Sequence, residues 1–273
     1  MDAPRVTLVK DGPVAHVRLA RPERLNAINT AMFEGLAAMP ATIAADPSLR
    51  AVVLAGEGRA FCAGLDLAAM ASPGALDPAS LAERSHGSAN LFQAAAMAWR
   101  ELAVPVIAAI HGVCFGGGLQ VALGADIRIA ALDARLAVME VKWGIVPDMG
   151  LFALARGLVR DDVLRELVYS HREFDGREAV ALGFATRLAD DPLAEATRLA
   201  QAIAGGAPHA IRAAKRLANL AADADEAAIL LAESREQARL IGGAQQREAV
   251  AAGLAERVPR FADPAGPAAQ QTD

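Results

Sequence analysis

The chain has 273 residues, of which 54% are hydrophobic and 22% are charged, with a formal net charge of −5. This length suffices for one large domain or for one domain with an appendage, and the apolar fraction can fill a sizeable core. The acidic balance gives no reason to expect nucleic acid or an anionic membrane as a partner.

Other classes of protein are disfavoured by local features. The start, MDAPRVTLVKDG, lacks the charged and long apolar regions of a secretory signal, so we expect a cytoplasmic protein. Residues 102–125 carry no formal charge, but proline, glycine and glutamine interrupt them, which favours a strand, a loop and a helix over a membrane span. Neither Cys62 and Cys114 nor the five histidines have metal-ligand spacing, so we predict no metal site and two buried thiols.

The first part of the chain predicts a hairpin, a helix and a buried strand. Apolar residues alternate on both sides of a Gly12-Pro13 turn, which is typical of two paired strands. Asn29 or Thr30 can cap the helix that follows. The β-rich run at residues 50–56 predicts a buried strand, and EGRAFCAGLDLAAM then predicts a loop that leads into a helix.

The middle of the chain predicts alternating helices and strands. ASPGALDPAS has no periodicity, so we expect a mobile loop there. Apolar spacing predicts a helix over residues 83–103, and PVIAAIHG predicts a strand. A helix over residues 117–124 and a strand at DIRIAA follow, and Pro147 is expected to start the next helix.

The last third predicts helices almost alone. After a late strand at GFATRLA, residues 207–257 have a wholly helical pattern, and ADPAGPAAQQTD has the composition of a disordered tail. We therefore expect an α/β core over residues 1–205, a helical region over residues 206–260 that packs on another subunit, and a disordered tail over residues 261–273.

Three consecutive glycines, Gly116 to Gly118, separate a predicted strand from a predicted helix. Glycine lets a backbone approach another group closely, and unpaired N–H groups at a helix start favour negative charge. The triplet is compatible with a dinucleotide site, an oxyanion hole or close packing alone. The dinucleotide fingerprint fits badly, because Val121 stands where its third glycine or alanine belongs. The small-residue loop FCAGLDL favours the oxyanion hole, because each loop could offer one N–H to one carbonyl oxygen.

Four segments resemble, in order and spacing, the motifs of the enoyl-CoA hydratase/isomerase (crotonase) family over residues 6–261. They are RPERLNAIN, GRAFCAGLDL, AAIHGVCFGGGLQVALGADIRIA and MEVKWGIVPDMG. The resemblance implies an α/β fold, a crotonase-like spiral of β-β-α repeats with a C-terminal helical trimerisation region. It also implies an acyl-CoA thioester as substrate and a homotrimer or a dimer of trimers. No separate cofactor is implied, since coenzyme A is part of the substrate.

The resemblance further implies an oxyanion hole and a coenzyme A site. The backbone N–H groups of Leu65 and Gly117 match the two family donors that hold the thioester oxygen as an enolate develops. Arg24 matches a position near the coenzyme A phosphates, with a solvated surface cation as the alternative. The full set of coenzyme A positions is Arg24, Ala27, Ala63, Asp66 and Leu67.

The acid–base residues decide between reactions within the family. Of the two glutamates that its hydratases use, one matches Glu140 and the other falls on Gln120. Glutamine can hold a water but cannot exchange protons at neutral pH, whereas one carboxylate can move a proton between two carbons. We therefore favour double-bond isomerisation by Glu140. Enoyl-CoA hydration and a catalytically weak acyl-CoA binder are the alternatives.

Asp148 is a further candidate acid. Glu140 and Asp148 match two acidic residues of the dienoyl-CoA isomerases of the family, although that subgroup has an aspartate where this chain has Gln120. Structural roles compete: a turn or capping residue for Asp148, a surface ion pair for Glu140, and a buried hydrogen-bonding amide for Gln120. Trp143 could raise the proton affinity of Glu140, but a core position is the favoured interpretation.

Overall fold

The computed structural model describes residues 3–70 and 80–264, which form an α/β fold. The strands are β1 (Val6–Asp11), β2 (Val14–Leu19), β3 (Ala51–Gly56), β4 (Val106–Ile110), β5 (Val113–Phe115), β6 (Ile127–Ala130), β7 (Arg135–Ala137), β8 (Phe174–Asp175) and β9 (Arg187–Leu188). The α-helices are α1 (Thr30–Ala44), α2 (Leu67–Met70), α3 (Leu91–Glu101), α4 (Gly117–Leu123), α5 (Leu151–Ala155), α6 (Asp161–Ser170), α7 (Gly176–Leu182), α8 (Pro192–Ala204), α9 (Pro208–Ala221), α10 (Glu226–Leu240) and α11 (Ala244–Leu254).

Two sheets organise these elements. Six strands lie in the order β1-β2-β3-β4-β6-β9, and three lie in the order β5-β7-β8. In the larger sheet only β1 runs antiparallel to its neighbour, as the hairpin with β2 predicted from the Gly12-Pro13 turn. The α/β prediction is confirmed.

The central strands are buried along their whole length. Every residue of β3 and β4 is buried, because helices cover both faces of this parallel part of the sheet. On one face, Val53 and Ile107 cluster with Ala200 of α8. On the other face, Leu54 belongs to the large cluster that includes Trp99 of α3.

The structure confirms one predicted helix start and corrects two others. Helix α1 begins at Thr30, because the Asn29 side chain accepts a hydrogen bond from the Met32 N–H at 3.1 Å. The helix predicted over residues 83–103 begins only at Leu91, where Asn90 and Gln93 form a reciprocal capping box. The prediction that Pro147 starts a helix is wrong, since α5 begins at Leu151 after Gly150 in a left-handed conformation.

Residues 207–257, whose pattern is wholly helical, contain the three helices α9, α10 and α11. Helix α9 is fastened to the core by Lys215, whose buried ammonium donates to the carbonyls of Trp99 (3.2 Å) and Val104 (3.0 Å) and to Asp126 (2.8 Å). Helix α10, in contrast, has no buried residue in the single chain.

Parts of the sequence predictions fall outside this description. Residues 71–79 of the loop expected at ASPGALDPAS lie outside the described residues. The part of the expected tail from residue 265 onward also lies outside them. Residues 102–125 contain β4, β5 and α4. Among the described residues, no helix combines the length and the apolar character needed to cross a membrane.

Candidate active site

Two small-residue loops run side by side in register. The Cys62 N–H donates to the Val113 carbonyl at 3.0 Å, and the Phe115 N–H donates to the Cys62 carbonyl at 2.9 Å. These bonds pair Cys62 with Cys114 in parallel. Beyond this pair the two loops stay in contact, since a Cβ on Gly64 would lie 3.8 Å from the Gly116 Cα. Leu65 and Gly117 are the residues that follow these two glycines.

The N–H groups of Leu65 and Gly117 are both available to a ligand. Ile28 pairs with Leu65 through the flanking residues, so that the Leu65 N–H points away from the Ile28 segment. Within the described residues, neither the Leu65 nor the Gly117 N–H donates a hydrogen bond. Both residues line the same cavity, of about 240 Å³, which we call the first cavity.

The glycines allow the two loops to approach so closely. A Cβ on Gly118 would lie 2.6 Å from the Cys62 Cβ and 2.8 Å from the Cys62 carbonyl oxygen. Gly64 has a φ of +89°, and a Cβ there would lie 2.8 Å from the Phe115 carbonyl oxygen. Close packing and a ligand site are therefore not alternatives, because the packing is what brings the two N–H groups to one cavity.

A buried asparagine that the sequence reasoning missed supports the first of these loops from behind. The Asn26 amide donates to the carbonyls of Glu57 and Ala60 at 2.9 Å and to that of Phe61 at 3.2 Å. Leu25 and Asn26 both have positive φ, of 50° and 56°, a conformation that asparagine tolerates better than most residues. A polar residue between two apolar ones inside the RLNAIN motif was the available signal.

Glu140 is buried beside the two N–H groups. It is 5% exposed and lines the first cavity, and its Oε1 accepts a hydrogen bond from Gln120 Nε2 at 2.7 Å. Within the part of the chain that the structure describes, its Oε2 is buried without a hydrogen-bond partner. Burial, assisted by the nearby charge of Asp148, raises the pKa of the Glu140 carboxyl, while the Gln120 hydrogen bond opposes this rise. The surface ion-pair interpretation of Glu140 is wrong.

Gln120 uses both ends of its side-chain amide. Its Oε1 accepts from the N–H groups of Met149 at 2.9 Å and Leu151 at 3.1 Å, while its Nε2 donates to Glu140. Two N–H donors identify the oxygen end of the amide, so the NH2 end must face the carboxylate. Gln120 is thus a buried hydrogen-bonding amide that orients Glu140.

Asp148 lies at a second, adjoining cavity of about 400 Å³. It is an exposed residue, and partial desolvation there raises the pKa of its carboxyl. Asp148 does not cap α5, whose N-cap is Gly150. Leu65 and Ile145 line both cavities, so Glu140 and Asp148 line adjoining cavities. The second cavity is lined by Phe33, Leu65, Leu81, Phe92, Gly144, Ile145, Val146, Asp148 and Met149.

The predicted coenzyme A positions are only partly brought together. Ala63 and Leu67 line the first cavity. Asp66 forms an ion pair with Arg21 at 2.6 Å, and the Ala27 carbonyl accepts from the same guanidinium at 3.0 Å. Arg24 is exposed and makes no ion pair within the described residues.

Trp143 was expected in the core, and this expectation is wrong. The residue is 53% exposed and lines the first cavity near Glu140. It lies at the end of the short 3-10 helix Glu140–Trp143, which Gly144 terminates in a left-handed conformation.

In the described parts of the chain, no group of three or more His, Cys, Asp or Glu residues could hold a metal ion.

Comparisons with known proteins agree on one family. The family model for enoyl-CoA hydratase/isomerase matches residues 10–264. A mitochondrial Delta(3,5)-Delta(2,4)-dienoyl-CoA isomerase from Mus musculus is 35% identical over 74% of the chain and 64% of its own length. Its peroxisomal namesake from Arabidopsis thaliana is 30% identical over 92% of the chain and 94% of its own length. The crystal structure of an enoyl-CoA hydratase from Mycobacterium tuberculosis superposes with a TM-score of 0.84 at 26% identity, covering 95% of the chain and 99% of that structure.

Proposed function

The chain belongs to the enoyl-CoA hydratase/isomerase family of enzymes, and we propose that it moves a double bond along the acyl chain of an enoyl- or dienoyl-CoA. The observation that carries the proposal is the environment of Glu140. One carboxylate oxygen is held by Gln120, and the other is buried without a hydrogen-bond partner among the described residues. Glu140 lines the same cavity as Leu65 and Gly117. Of the two carboxyls that line the cavity, Glu140 is buried, whereas Glu173 is exposed and forms an ion pair with Arg135 at 2.6 Å. The cavity thus offers two N–H donors and one buried proton carrier.

The proposed chemistry balances without a cofactor. The thioester oxygen accepts hydrogen bonds from the Leu65 and Gly117 N–H groups, which stabilise the negative charge as the carbon next to the carbonyl loses a proton. Each such donor is worth about 10²–10³ in rate. Glu140 accepts that proton at Oε2 and returns it to another carbon on the same face, so that the double bond moves and nothing is added or lost.

Asp148 extends the proposal to conjugated substrates. A dienoyl chain that passes from the first cavity into the second would bring its distal carbon toward Asp148, since Leu65 and Ile145 line both cavities. Removal of a proton at one end by one carboxyl and delivery at the other end by the second then moves two double bonds together. The similarity to two dienoyl-CoA isomerases supports this version.

Hydration is the second candidate, and the similarity to the M. tuberculosis enoyl-CoA hydratase favours it. Addition of water needs a second group that orients the water or exchanges its proton. The Gln120 oxygen is already occupied by Met149 and Leu151, and an amide cannot exchange protons at neutral pH. These contacts support isomerisation over hydration. The buried carboxyl of Glu140 disfavours a catalytically weak binder.

The assignment of the coenzyme A site is also a proposal. The carbonyls of Ala27, Ala63 and Leu67 would accept from the adenine of coenzyme A, with Arg24 near its phosphates. Ala63 and Leu67 line the first cavity, and the exposed Arg24 is free to contact an anion, which supports this assignment. A cytoplasmic location remains a prediction from the sequence alone.

We also propose a homotrimer or a dimer of trimers, joined by the helical region over residues 206–260. The support is the apolar surface of α10, where Leu230 and Leu231 are 54% and 50% exposed in the single chain. Light scattering at micromolar concentration should give three or six times the mass of the chain. A monodisperse monomer would contradict this role.

Turnover of three substrates tests the proposed reaction. Crotonyl-CoA, a 3-enoyl-CoA and a 3,5-dienoyl-CoA are each incubated with the enzyme, and the products are followed by absorbance and mass. We expect a 2-enoyl or 2,4-dienoyl product of unchanged mass from the second or third substrate. Rapid water addition to crotonyl-CoA would overturn isomerisation in favour of hydration, and failure to turn over any of the three would favour the weak binder.

A further inference from the structure

Arg21 joins two separate segments of the chain at the edge of the proposed coenzyme A site. Its Nη1 donates both to the Ala27 carbonyl at 3.0 Å and to Asp66 Oδ2 at 2.6 Å. The side chain is only 13% exposed. One guanidinium nitrogen therefore fixes a backbone carbonyl of one segment against a carboxylate of the other.

The same two segments are already linked by backbone hydrogen bonds. The Ala63 N–H donates to the Leu25 carbonyl at 2.9 Å, and the Asp66 N–H donates to the Ile28 carbonyl at 2.9 Å. The Arg21 guanidinium adds a side-chain link at the end of this pairing. Because the backbone hydrogen bonds already pair the two segments, the Arg21 side chain mainly fixes the positions of Ala27 and Asp66.

The chemistry of the two acceptors gives Arg21 two effects on an anionic nucleotide. A carbonyl oxygen has two lone pairs, so the Ala27 oxygen keeps one for a ligand N–H donor while Arg21 occupies the other. The cation also neutralises Asp66, whose carboxylate would otherwise repel phosphates nearby. Both effects favour the nucleotide half of coenzyme A and leave the thioester end unaffected.

We propose that Arg21 is a positioning residue for the nucleotide half of the substrate, so that its side chain makes the enzyme select coenzyme A thioesters over thioesters that lack the nucleotide. The inference rests on the proposed function, which places coenzyme A at Ala27, Ala63 and Leu67. It adds a residue outside that set, which acts through Ala27 and Asp66.

Binding of two probes tests the proposal without requiring turnover. Calorimetry compares the dissociation constants of coenzyme A and pantetheine for the unaltered enzyme and for Arg21→Met, Arg21→Lys and Arg177→Met. Arg177 is an exposed arginine of α7 that makes no ion pair within the described residues, so its loss controls for net charge. Kinetics with one acyl chain on each carrier then separate KM from kcat.

We expect Arg21→Met to raise the dissociation constant of coenzyme A by about tenfold or more, because one charge-assisted hydrogen bond is lost. The dissociation constant of pantetheine should change by less than twofold. Arg21→Lys should recover part of the loss, because the ion pair with Asp66 survives. Asp66→Asn added to Arg21→Met should also recover part of the loss, because the negative charge that Arg21 offsets is removed. Arg177→Met should match the unaltered enzyme.

The outcomes separate this inference from the proposed function. Equal weakening of both probes by Arg21→Met, or by Arg21→Lys if the first variant does not fold, would show a merely structural role and overturn the inference. Unchanged coenzyme A binding in both variants would overturn it as well. If the unaltered enzyme binds pantetheine as tightly as coenzyme A, the coenzyme A site of the proposed function is itself wrong.

Discussion

The first cavity has two sides that are built in different ways. The amide side consists of the N–H groups of Leu65 and Gly117, which are placed by the in-register pairing of two loops. The carboxyl side consists of Glu140 and Gln120, which are placed by side-chain hydrogen bonds that reach as far as Met149 and Leu151. The amide side has no titratable group, whereas the carboxyl side depends on the protonation of Glu140.

This difference separates two contributions to the proposed reaction. Fixed dipoles on the amide side stabilise charge at every pH and need no reorganisation. The carboxyl side moves the proton, so the pH dependence should arise there. Changes on each side should therefore produce different kinetic signatures. Three variants change one side of the cavity and a fourth changes neither, and they are ordered from the largest expected effect on activity to the smallest.

Removal of the proton carrier should have the largest effect. Glu140→Gln keeps the shape of the side chain but cannot accept a proton, so kcat should fall by about 10²–10⁴ with KM little changed. Steady-state kinetics on the best substrate of the three-substrate test measure this. Asp133→Asn, which alters an exposed acid elsewhere, serves as the control. Full activity in Glu140→Gln would remove the carboxyl side from the mechanism.

Separation of the two loops should damage the amide side. Gly118→Ala introduces a Cβ at 2.6 Å from the Cys62 Cβ, which must push the loops apart and misplace one N–H group. We expect a loss of about 10²–10³ in kcat, as for the loss of one oxyanion donor, and an unchanged pH profile. Gly253→Ala is the matched control, because a Cβ there meets open space. A Gly118→Ala enzyme of normal activity would show that the loop distance is not important.

The pH profile should respond only to the carboxyl side. Burial raises the pKa of Glu140, and the protonated carboxyl cannot act as a base. The acid limb of kcat/KM should therefore lie above the ordinary glutamate value of about 4.3, with activity falling as the pH decreases through it. Gln120→Glu places a second carboxyl 2.7 Å from Glu140 Oε1 and should move this limb upward by about 1 pH unit or more.

The control for this shift is Gln120→Met, which removes the hydrogen bond without adding a charge. It should lower kcat and should also raise the acid limb, but by less than Gln120→Glu, because the hydrogen bond that favours the ionised carboxyl is lost. An acid limb that stays at the same pH in both variants would mean that Glu140 does not titrate in the observed range.

The smallest effect on activity should come from a substitution at Lys215, which belongs to neither the amide side nor the carboxyl side of the cavity. Lys215→Met leaves two buried carbonyls without this donor and Asp126 without its ion-pair partner, so the free energy of unfolding should fall by about 1–3 kcal/mol. Denaturant unfolding measures this loss, while kcat at low temperature should stay within twofold. Asp126→Asn in the same chain should restore part of the stability, and an equal loss in the double variant would show that the charge pair is unimportant.

The close approach of the two loops on the amide side could be expected from local sequence, whereas the hydrogen bonds that hold the residues of the carboxyl side could not. Small residues and glycines mark the places where two backbones can approach, and the family resemblance assigned Leu65 and Gly117 as the two donors. The hairpin and the cap of α1 at Asn29 likewise depend on local signals. These features need only residues that are close along the chain.

The features that the sequence did not reveal depend on contacts over long separations. Gln120 is held by Met149 and Leu151, which lie 29 and 31 residues further along, so only the fold decides which end of its amide meets Glu140. Arg21 reaches Asp66 across 45 residues. The exposure of Trp143 also depends on the fold, since no local sequence pattern distinguishes a residue at a cavity rim from a residue in the core.

Exchange of the proton next to the thioester tests the central claim most directly. A saturated acyl-CoA such as butanoyl-CoA, incubated with the enzyme in deuterated water, cannot react further but can lose that proton to Glu140 while the two N–H groups hold the oxygen. We expect mass spectrometry to show deuterium entering the acyl chain in the presence of the unaltered enzyme and no uptake above the solvent background with Glu140→Gln. Binding of the thioester without any exchange by the unaltered enzyme would contradict the account.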